Sequence, residues 1–142
     1  MVIIDTGVIV AAAVPKDTFN KQCKALLTEL RNENELLLLP ATVAAEVGYM
    51  LSTYAGPELE VAFLKSVANG VFQPVELLDE DYARMAELAE QYISFPLGTT
   101  DASLIAIAER LRINTIATVD RRHFTAVRPK HVSAFRLLPI VL

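Results

Sequence analysis

The chain has 142 residues, 53% hydrophobic and 21% charged, so it can bury the core of one domain, expected over residues 1–142, and is not intrinsically disordered. A single cysteine, Cys23, excludes an internal disulfide framework and fits a reducing compartment. The net charge of −4 argues against binding of nucleic acid by bulk charge alone. That charge is segregated, because residues 1–93 carry a net −8 and residues 94–142 a net +4.

Short apolar runs alternate with helical patterns along the chain. This alternation predicts an α/β fold with a mainly parallel central sheet of four to five strands flanked by helices. The predicted strands cover residues 2–4, 36–39, 72–77, 115–119 and 135–141. The first of them is entirely apolar, as buried parallel strands tend to be. Pro74 and Pro139 mark the third and last strands as sheet edges.

The helices are predicted from apolar residues at steps of three and four. They cover residues 8–13, 17–31, 41–54, 58–68, 79–93 and 101–111. The inward face of the helix at 79–93 is predicted to comprise Tyr82, Met85, Ala86, Ala89 and Ile93. The basic segment 121–134 shows no such period and is expected to be irregular.

The apolar start of the chain does not have the pattern of a secretion signal. Asp5 interrupts the run over residues 1–14 and no basic residue precedes it, whereas a signal peptide has a basic start and an uninterrupted apolar stretch. No segment reaches the ~20 apolar residues of a membrane-spanning helix. We therefore expect a cytoplasmic protein without a membrane partner.

Four acidic side chains are predicted to gather at one edge of the sheet. Asp5 and Asp120 each follow a predicted strand, and ligands of open parallel sheets bind beyond the carboxyl ends of the strands. Asp101 opens a predicted helix at that edge, after two threonines that are candidate N-caps. Glu46 lies in the middle of a helix, in an apolar stretch with no basic residue nearby.

Carboxylates gathered without basic partners repel one another, and a hard divalent cation relieves that repulsion. Oxygen ligands suit Mg²⁺ or Mn²⁺, which polarise a phosphate oxygen and lower the pKa of an attacking water. Hydrolysis of a phosphodiester is therefore the reaction class indicated. Each acid also has an ordinary structural interpretation, as a turn or cap residue for the three aspartates and as an exposed helix position for Glu46.

These acids stand in four short motifs whose order and spacing resemble those of a PIN domain. The motifs are an acid followed by Thr after the first strand, a Glu in the helix after the second, an Asp-Ala opening a helix, and Thr-x-Asp before basic residues and Phe. They lie at residues 4–9 (IDTGVI), 40–46 (PATVAAE), 100–106 (TDASLIA) and 118–124 (TVDRRHF). The resemblance spans essentially the whole chain, and it is strongest to the VapC-type toxin ribonucleases.

The resemblance implies a metal-dependent endoribonuclease that belongs to a toxin–antitoxin pair. It implies Mg²⁺ or Mn²⁺ as the cofactor, held by catalytic acids at Asp5, Glu46, Asp101 and Asp120. Thr6 is expected to orient a ligand or a bound water. A small VapB-type antitoxin and a second copy of the chain are the expected protein partners.

Two further groups of residues have open interpretations. Arg121 and Arg122 follow the fourth acid, so they either contact RNA phosphates or lie on a solvated face. His123 is more readily explained by packing or hydrogen bonding within its turn than by proton transfer. Two tyrosines of the helix at 41–54, Tyr49 and Tyr54, belong either to the core or to a partner-binding groove.

Rival functions need residues that the chain lacks. A receiver-like domain needs a pair of early adjacent acids and a Lys ending a late strand, and a phosphohydrolase of the Asp-x-Asp type needs a second acid where Gly7 stands. The remaining alternative is a non-catalytic PIN-like module that binds RNA or a partner. Such degenerate members lack one or more of the acids, whereas all four are present here.

Overall fold

The computed structural model describes all of residues 1–142, with five strands and seven helices. The strands are β1 (Val2–Ile4), β2 (Leu37–Pro40), β3 (Gln73–Val75), β4 (Thr115–Ala117) and β5 (Arg136–Leu138). The helices are α1 (Thr6–Ala13), α2 (Asn20–Asn32), α3 (Ala41–Tyr54), α4 (Pro57–Ala68), α5 (Asp79–Gln91), α6 (Thr99–Leu111) and α7 (Arg122–Ala126). None of the helices is both long and apolar enough to cross a membrane.

The strands form one sheet in the order β3-β2-β1-β4-β5, and every neighbouring pair is parallel. This confirms the predicted α/β class, and β3 and β5 are the edges that the prolines indicated. The chain builds β1, β2 and β3 outwards on one side and then places β4 and β5 on the other side of β1. The order of the strands therefore reverses between β1 and β4, and a crevice opens at such a point beyond the carboxyl ends of the strands.

Apolar residues of the central strands are buried because helices cover both faces of the sheet. Ile3, Ile4 and Ile116 have no exposed surface, and the whole of β2 is buried. In α6 every residue from Ala102 to Ala108 is buried, so this helix lies inside the fold rather than on its surface. The α6 helix packs against α3, α5 and β2, which holds its position relative to the sheet.

Three local expectations were wrong. The segment 121–134 contains α7, which is anchored by the buried side chain of Phe124. Of the five residues predicted on the inward face of the helix at 79–93 only Met85 is buried, because α5 presents a narrower face to α6 than its sequence period indicated. The other four, Tyr82, Ala86, Ala89 and Ile93, are exposed, and Ile93 lies beyond the end of α5 at Gln91. Neither threonine caps α6, since its N-cap is Gly98 and no side-chain hydrogen bond closes that end.

Gly7 permits a close approach between α1 and the chain beyond β4. A Cβ atom on this residue would lie 2.6 Å from the Val119 Cγ2 atom, which is shorter than real contacts allow. We expect Gly7→Ala to lower the free energy of unfolding by about 1–3 kcal/mol, measured by urea denaturation, because one of the two segments must move. Gly48→Ala is the matched control: its Cβ would meet only the flexible Glu60 side chain at 3.4 Å, and alanine favours a helix. Equal stability of the two variants would contradict the explanation.

Candidate active site

The pairing of β1 with β4 places Asp5 and Asp120 at the same end of the sheet. The Asp5 amide donates to the Ala117 carbonyl at 2.9 Å, which extends the pairing of the two strands by one residue. The Thr118 hydroxyl lies 2.8 Å from the Asp5 Oδ2 atom and 3.0 Å from the main-chain oxygen of Asp120. The Thr118 side chain is fully buried, and its hydroxyl group connects the residues that follow β1 and β4.

Asp5 is fixed in orientation by its position at the start of a helix. It is the N-cap of α1, and its Oδ1 atom accepts a hydrogen bond of 2.8 Å from the Thr6 amide. An acid is favoured there because the helix terminus has free N–H groups and a partial positive charge. Both carboxylate oxygens of this buried residue are thus held by neighbours.

Glu46 is held by a network of hydroxyl groups between α3 and α6. The Thr100 hydroxyl donates to the Glu46 Oε2 atom at 3.0 Å. The Ser103 hydroxyl donates to the Thr100 carbonyl at 2.6 Å and also lies 2.6 Å from the Thr42 hydroxyl. Thr100, predicted as a helix cap, instead positions the second acid.

Asp101 and Asp120 each contact a cationic or potentially cationic residue of α7. The Asp101 Oδ2 atom is hydrogen-bonded to the His123 Nδ1 atom, and this pair is largely buried, with 19% and 15% of the side chains exposed. Asp120 pairs with Arg122 at 3.2 Å on the surface, with 54% and 72% exposed. The two contacts differ in burial, so only the first has a protein environment that restricts its geometry.

The pKa shifts differ between the more buried acids, Asp5 and Asp101, and the exposed acid, Asp120. Burial raises the pKa of Asp5 to about 6 despite the hydrogen bond from Thr118, and repulsion from Asp101 and Glu46 adds to the rise. Burial also raises the pKa of Asp101, opposed by its hydrogen bond to His123. The hydrogen bond from Arg122 lowers the pKa of Asp120. Ionisation is therefore disfavoured at Asp5 and Asp101 relative to an exposed carboxyl group.

The donor chemistry of the site fits a hard divalent cation. No lysine or arginine side chain pairs with Asp5 or Glu46, and the buried Thr6 hydroxyl has no hydrogen-bond partner, so a polar group is left unsatisfied beside the acids. The side chains are not closed around one point, because no three acidic, histidine or cysteine side chains lie close enough to hold a metal together. Two of the four carboxylates, Asp101 and Asp120, are hydrogen-bonded to His123 and Arg122 of α7.

Several residues near the acids make contacts other than those predicted from the sequence. The Arg121 guanidinium, one of the two predicted phosphate contacts, donates to the main-chain carbonyls of Pro139 and Ile140 and is half-buried. Three residues contact the acids directly, although the sequence did not predict these contacts: Thr118, Thr100 and His123. Thr118 is the first residue of the Thr-x-Asp motif, but its contact with Asp5 depends on the pairing of β4 with β1.

Comparison with known proteins agrees with this fold. The model of the PIN domain family matches residues 2–129. The chain therefore belongs to the PIN-domain family, as the four motifs indicated.

Within that family the similarity is to VapC proteins. Ribonuclease VapC26 of Mycobacterium tuberculosis is 30% identical over 140 residues, which cover 96% of this chain and 99% of the relative. The crystal structure of M. tuberculosis VapC20, a sarcin-ricin loop cleaving toxin, superposes with a TM-score of 0.76 at 15% identity, over 86% of this chain and 92% of that one. VapBC2 from Rickettsia felis, bound to a DNA fragment from its promoter, has a TM-score of 0.68 at 18% identity, over 96% and 98% of the two chains. The expectation of a VapC-type PIN domain is confirmed.

Proposed function

We propose that this protein is an endoribonuclease that hydrolyses RNA phosphodiester bonds with Mg²⁺ or Mn²⁺ held by Asp5, Glu46, Asp101 and Asp120. The observation that carries the proposal is that the buried Asp5 and the half-buried Asp101 lie close enough to Glu46 to be repelled by it, with no lysine or arginine hydrogen-bonded to either, while burial raises the pKa of both. Buried carboxylates of this kind are costly unless a cation is bound. The similarity to Ribonuclease VapC26 supports RNA as the substrate.

The chain's own residues have distinct tasks in this proposal. The bound metal supplies a Lewis acid and a water of lowered pKa. Thr118 and the Thr6 amide hold the Asp5 carboxylate in one orientation, and Thr100 does the same for Glu46. The free Thr6 hydroxyl is placed to hydrogen-bond a water or ligand at the site. Arg122 lies exposed beside Asp120, where its guanidinium can meet an RNA phosphate, and Arg121 adds positive charge behind it.

We further propose an antitoxin partner, a homodimer and a cytoplasmic location. The VapBC2 neighbour from R. felis supports a VapB-type partner. Tyr49 and Tyr54 are strongly exposed on α3, the helix that also carries Glu46, and tyrosine is enriched at protein interfaces. The sequence alternative that placed these two side chains in the core is therefore wrong.

A second candidate function is a non-catalytic module that binds RNA or a partner. It is favoured by the pairing of Asp101 with His123 and of Asp120 with Arg122, which occupies two of the four acids. In that case Asp101 and Asp120 are held by residues of α7, and the protein binds RNA or a partner without a metal. The two candidates therefore differ in whether a divalent ion binds and whether RNA is cut.

Cleavage of a structured RNA by the purified protein tests the proposal. We expect cleavage with Mg²⁺ or Mn²⁺, none with EDTA, and a loss of roughly 100-fold or more in Asp101→Asn. Asp79→Asn is the matched control, since this exposed acid of α5 lies outside the site. Millimolar Mn²⁺ is also expected to raise the melting temperature of the wild type and not that of Asp101→Asn. Cleavage that persists in EDTA, or equally in both variants, would contradict the proposal.

A further inference from the structure

We propose that His123 positions Asp101 for metal binding, and that the ring of Phe95 holds the imidazole in place. The inference rests on the proposed function, because it gives a role to the neighbour of one of the four acids. His123 is a positioning residue here, since it acts only through the carboxylate that it touches. Its contribution is geometric and does not depend on a change in its charge.

The hydrogen bond between His123 and Asp101 determines which imidazole nitrogen carries the proton and which carboxylate oxygen remains free. A carboxylate accepts only, so the His123 Nδ1 atom carries the hydrogen that is donated to the Asp101 Oδ2 atom. No other group in the structure hydrogen-bonds this carboxylate. With Oδ2 engaged, the Oδ1 atom remains for a ligand. A neighbour that restrains one oxygen in this way reduces the freedom that the carboxylate must lose when it binds a metal.

His123 is itself fixed from two directions. Its backbone belongs to α7, which is anchored by Phe124, and the Phe124 ring packs edge-on against Phe135 with centroids 6.4 Å apart. Its ring meets Phe95, from the segment before α6, in an edge-to-face contact with centroids 5.0 Å apart and planes at 68°. The imidazole therefore has little rotational freedom, and the orientation it imposes on Asp101 is determined by the core and by a loop.

The neighbouring pair of Arg122 and Asp120 is more exposed than the pair of His123 and Asp101. This difference in burial distinguishes a positioning role from neutralisation of charge. Arg122 and Asp120 lie mostly in solvent, where an ion pair is weak and adopts many geometries. His123 and Asp101 lie mostly out of solvent, where a hydrogen bond is stronger and its geometry is retained. Loss of His123 should therefore change how well Asp101 holds a metal, beyond any change in the overall charge of the site.

Titration calorimetry with Mn²⁺ alone tests this role without an activity assay. We expect His123→Ala to weaken Mn²⁺ binding about 10- to 100-fold. His123→Asn should restore most of the affinity, because its side-chain amide can place an N–H where the Nδ1–H group lies. Phe95→Leu should weaken binding by a smaller factor. His131→Ala is the matched control, since this histidine contacts the Ile113 carbonyl away from the acids.

RNA cleavage supplies a second readout. In His123→Ala the Mn²⁺ concentration that gives half-maximal cleavage should rise, while kcat at saturating Mn²⁺ stays within a few-fold of the wild type. Circular dichroism and melting temperature show whether each variant folds. If His123→Ala does not fold, Phe95→Leu carries the test, and an unchanged Mn²⁺ affinity in that variant overturns the inference.

The outcomes distinguish this inference from the function on which it rests. Binding of Mn²⁺ that is lost in Asp101→Asn but unchanged or tighter in His123→Ala overturns the role of His123 and leaves the proposed function standing. Absence of Mn²⁺ binding by the wild type, or equal binding by Asp101→Asn, overturns both. Equal weakening by His123→Ala and His123→Asn also overturns the role, because the amide should replace the lost donor.

Discussion

Replacing Asp5 with Asn is expected to abolish RNA cleavage and, at the same time, to stabilise the metal-free protein at neutral pH. The loss of activity follows because a neutral amide is a poor metal ligand, and we expect it to be roughly 100-fold or more. The gain in stability follows because the wild type must keep a buried carboxylate charged. Burial raises the pKa of Asp5 to about 6, so its ionised form is disfavoured in the folded state.

The Asn side chain fits the hydrogen bonds that Asp5 makes. Its oxygen can accept from the Thr6 amide, as the Asp5 Oδ1 atom does. Its amide can donate to the Thr118 hydroxyl, which is then free to donate to the Asp120 carbonyl 3.0 Å away. The substitution therefore removes a charge without leaving a buried polar group unpaired.

The sign of the pH dependence follows from the direction of the shift. The ordinary carboxyl pKa is 3.8, so between about pH 4 and pH 6 the folded protein keeps a proton on Asp5 that the unfolded chain has released. The stability of the wild type is therefore penalised as pH rises through this window. Above it, Asp5→Asn should be the more stable by up to about 3 kcal/mol, and below pH 4 the difference should vanish.

Urea denaturation at several pH values, in EDTA, measures this difference. Asp79→Asn serves again as the control, because it removes an acid that is exposed to solvent. An Asp5→Asn protein that is less stable than the wild type at pH 7, or equally stable at all pH values, would contradict the assigned cost of the buried charge. Retained cleavage would contradict the proposed function independently.

Asp81→Ala is expected to lower the free energy of unfolding by roughly 3 kcal/mol, because it leaves a partly buried arginine without its partner. The Arg110 Nε atom lies 3.0 Å from both carboxylate oxygens of Asp81, which is 2% exposed. Asp81 also accepts from the Leu78 amide at 2.9 Å, so it closes the start of α5. One carboxylate thus joins α5 to α6, the helix that carries Asp101.

Urea denaturation of the purified variant measures the loss. Glu80→Ala is the matched control, since this neighbouring acid is exposed and makes no ion pair, and it should cost less than about 0.5 kcal/mol. A similar small cost in Asp81→Ala would show that the ion pair does not hold the two helices together. RNA cleavage by Asp81→Ala under folding conditions should remain, because the residue does not contact the four acids.

Several of the charges that are segregated in the sequence form ion pairs with each other in the folded protein. The acidic first part and the basic last part of the chain meet in ion pairs, which are Arg110 with Asp81, Lys130 with Glu87 and the reverse pair Arg84 with Glu109. Arg121 is engaged with carbonyls of the C-terminal segment. Arg110, Lys130 and Arg121 are therefore engaged within the fold, whereas Arg122 lies exposed at the site in a surface pair with Asp120.

The sequence by itself determined the class of fold and the end of the sheet at which Asp5 and Asp120 lie. Alternation of apolar strands with helices requires parallel pairing, and parallel pairing places every strand's carboxyl end at one edge, where Asp5 and Asp120 stand. It also determined the PIN-domain family, because the four motifs keep their order and spacing over the whole chain.

Only the tertiary structure decided how each acid is held and what it costs to ionise. The contacts of Thr118 with Asp5, Thr100 with Glu46 and His123 with Asp101 join residues 113, 54 and 22 positions apart. Such partners depend on which strands are neighbours and how deeply α6 is buried, and no local pattern encodes either. The raised pKa of Asp5 likewise comes first from burial, which is a property of the packed molecule.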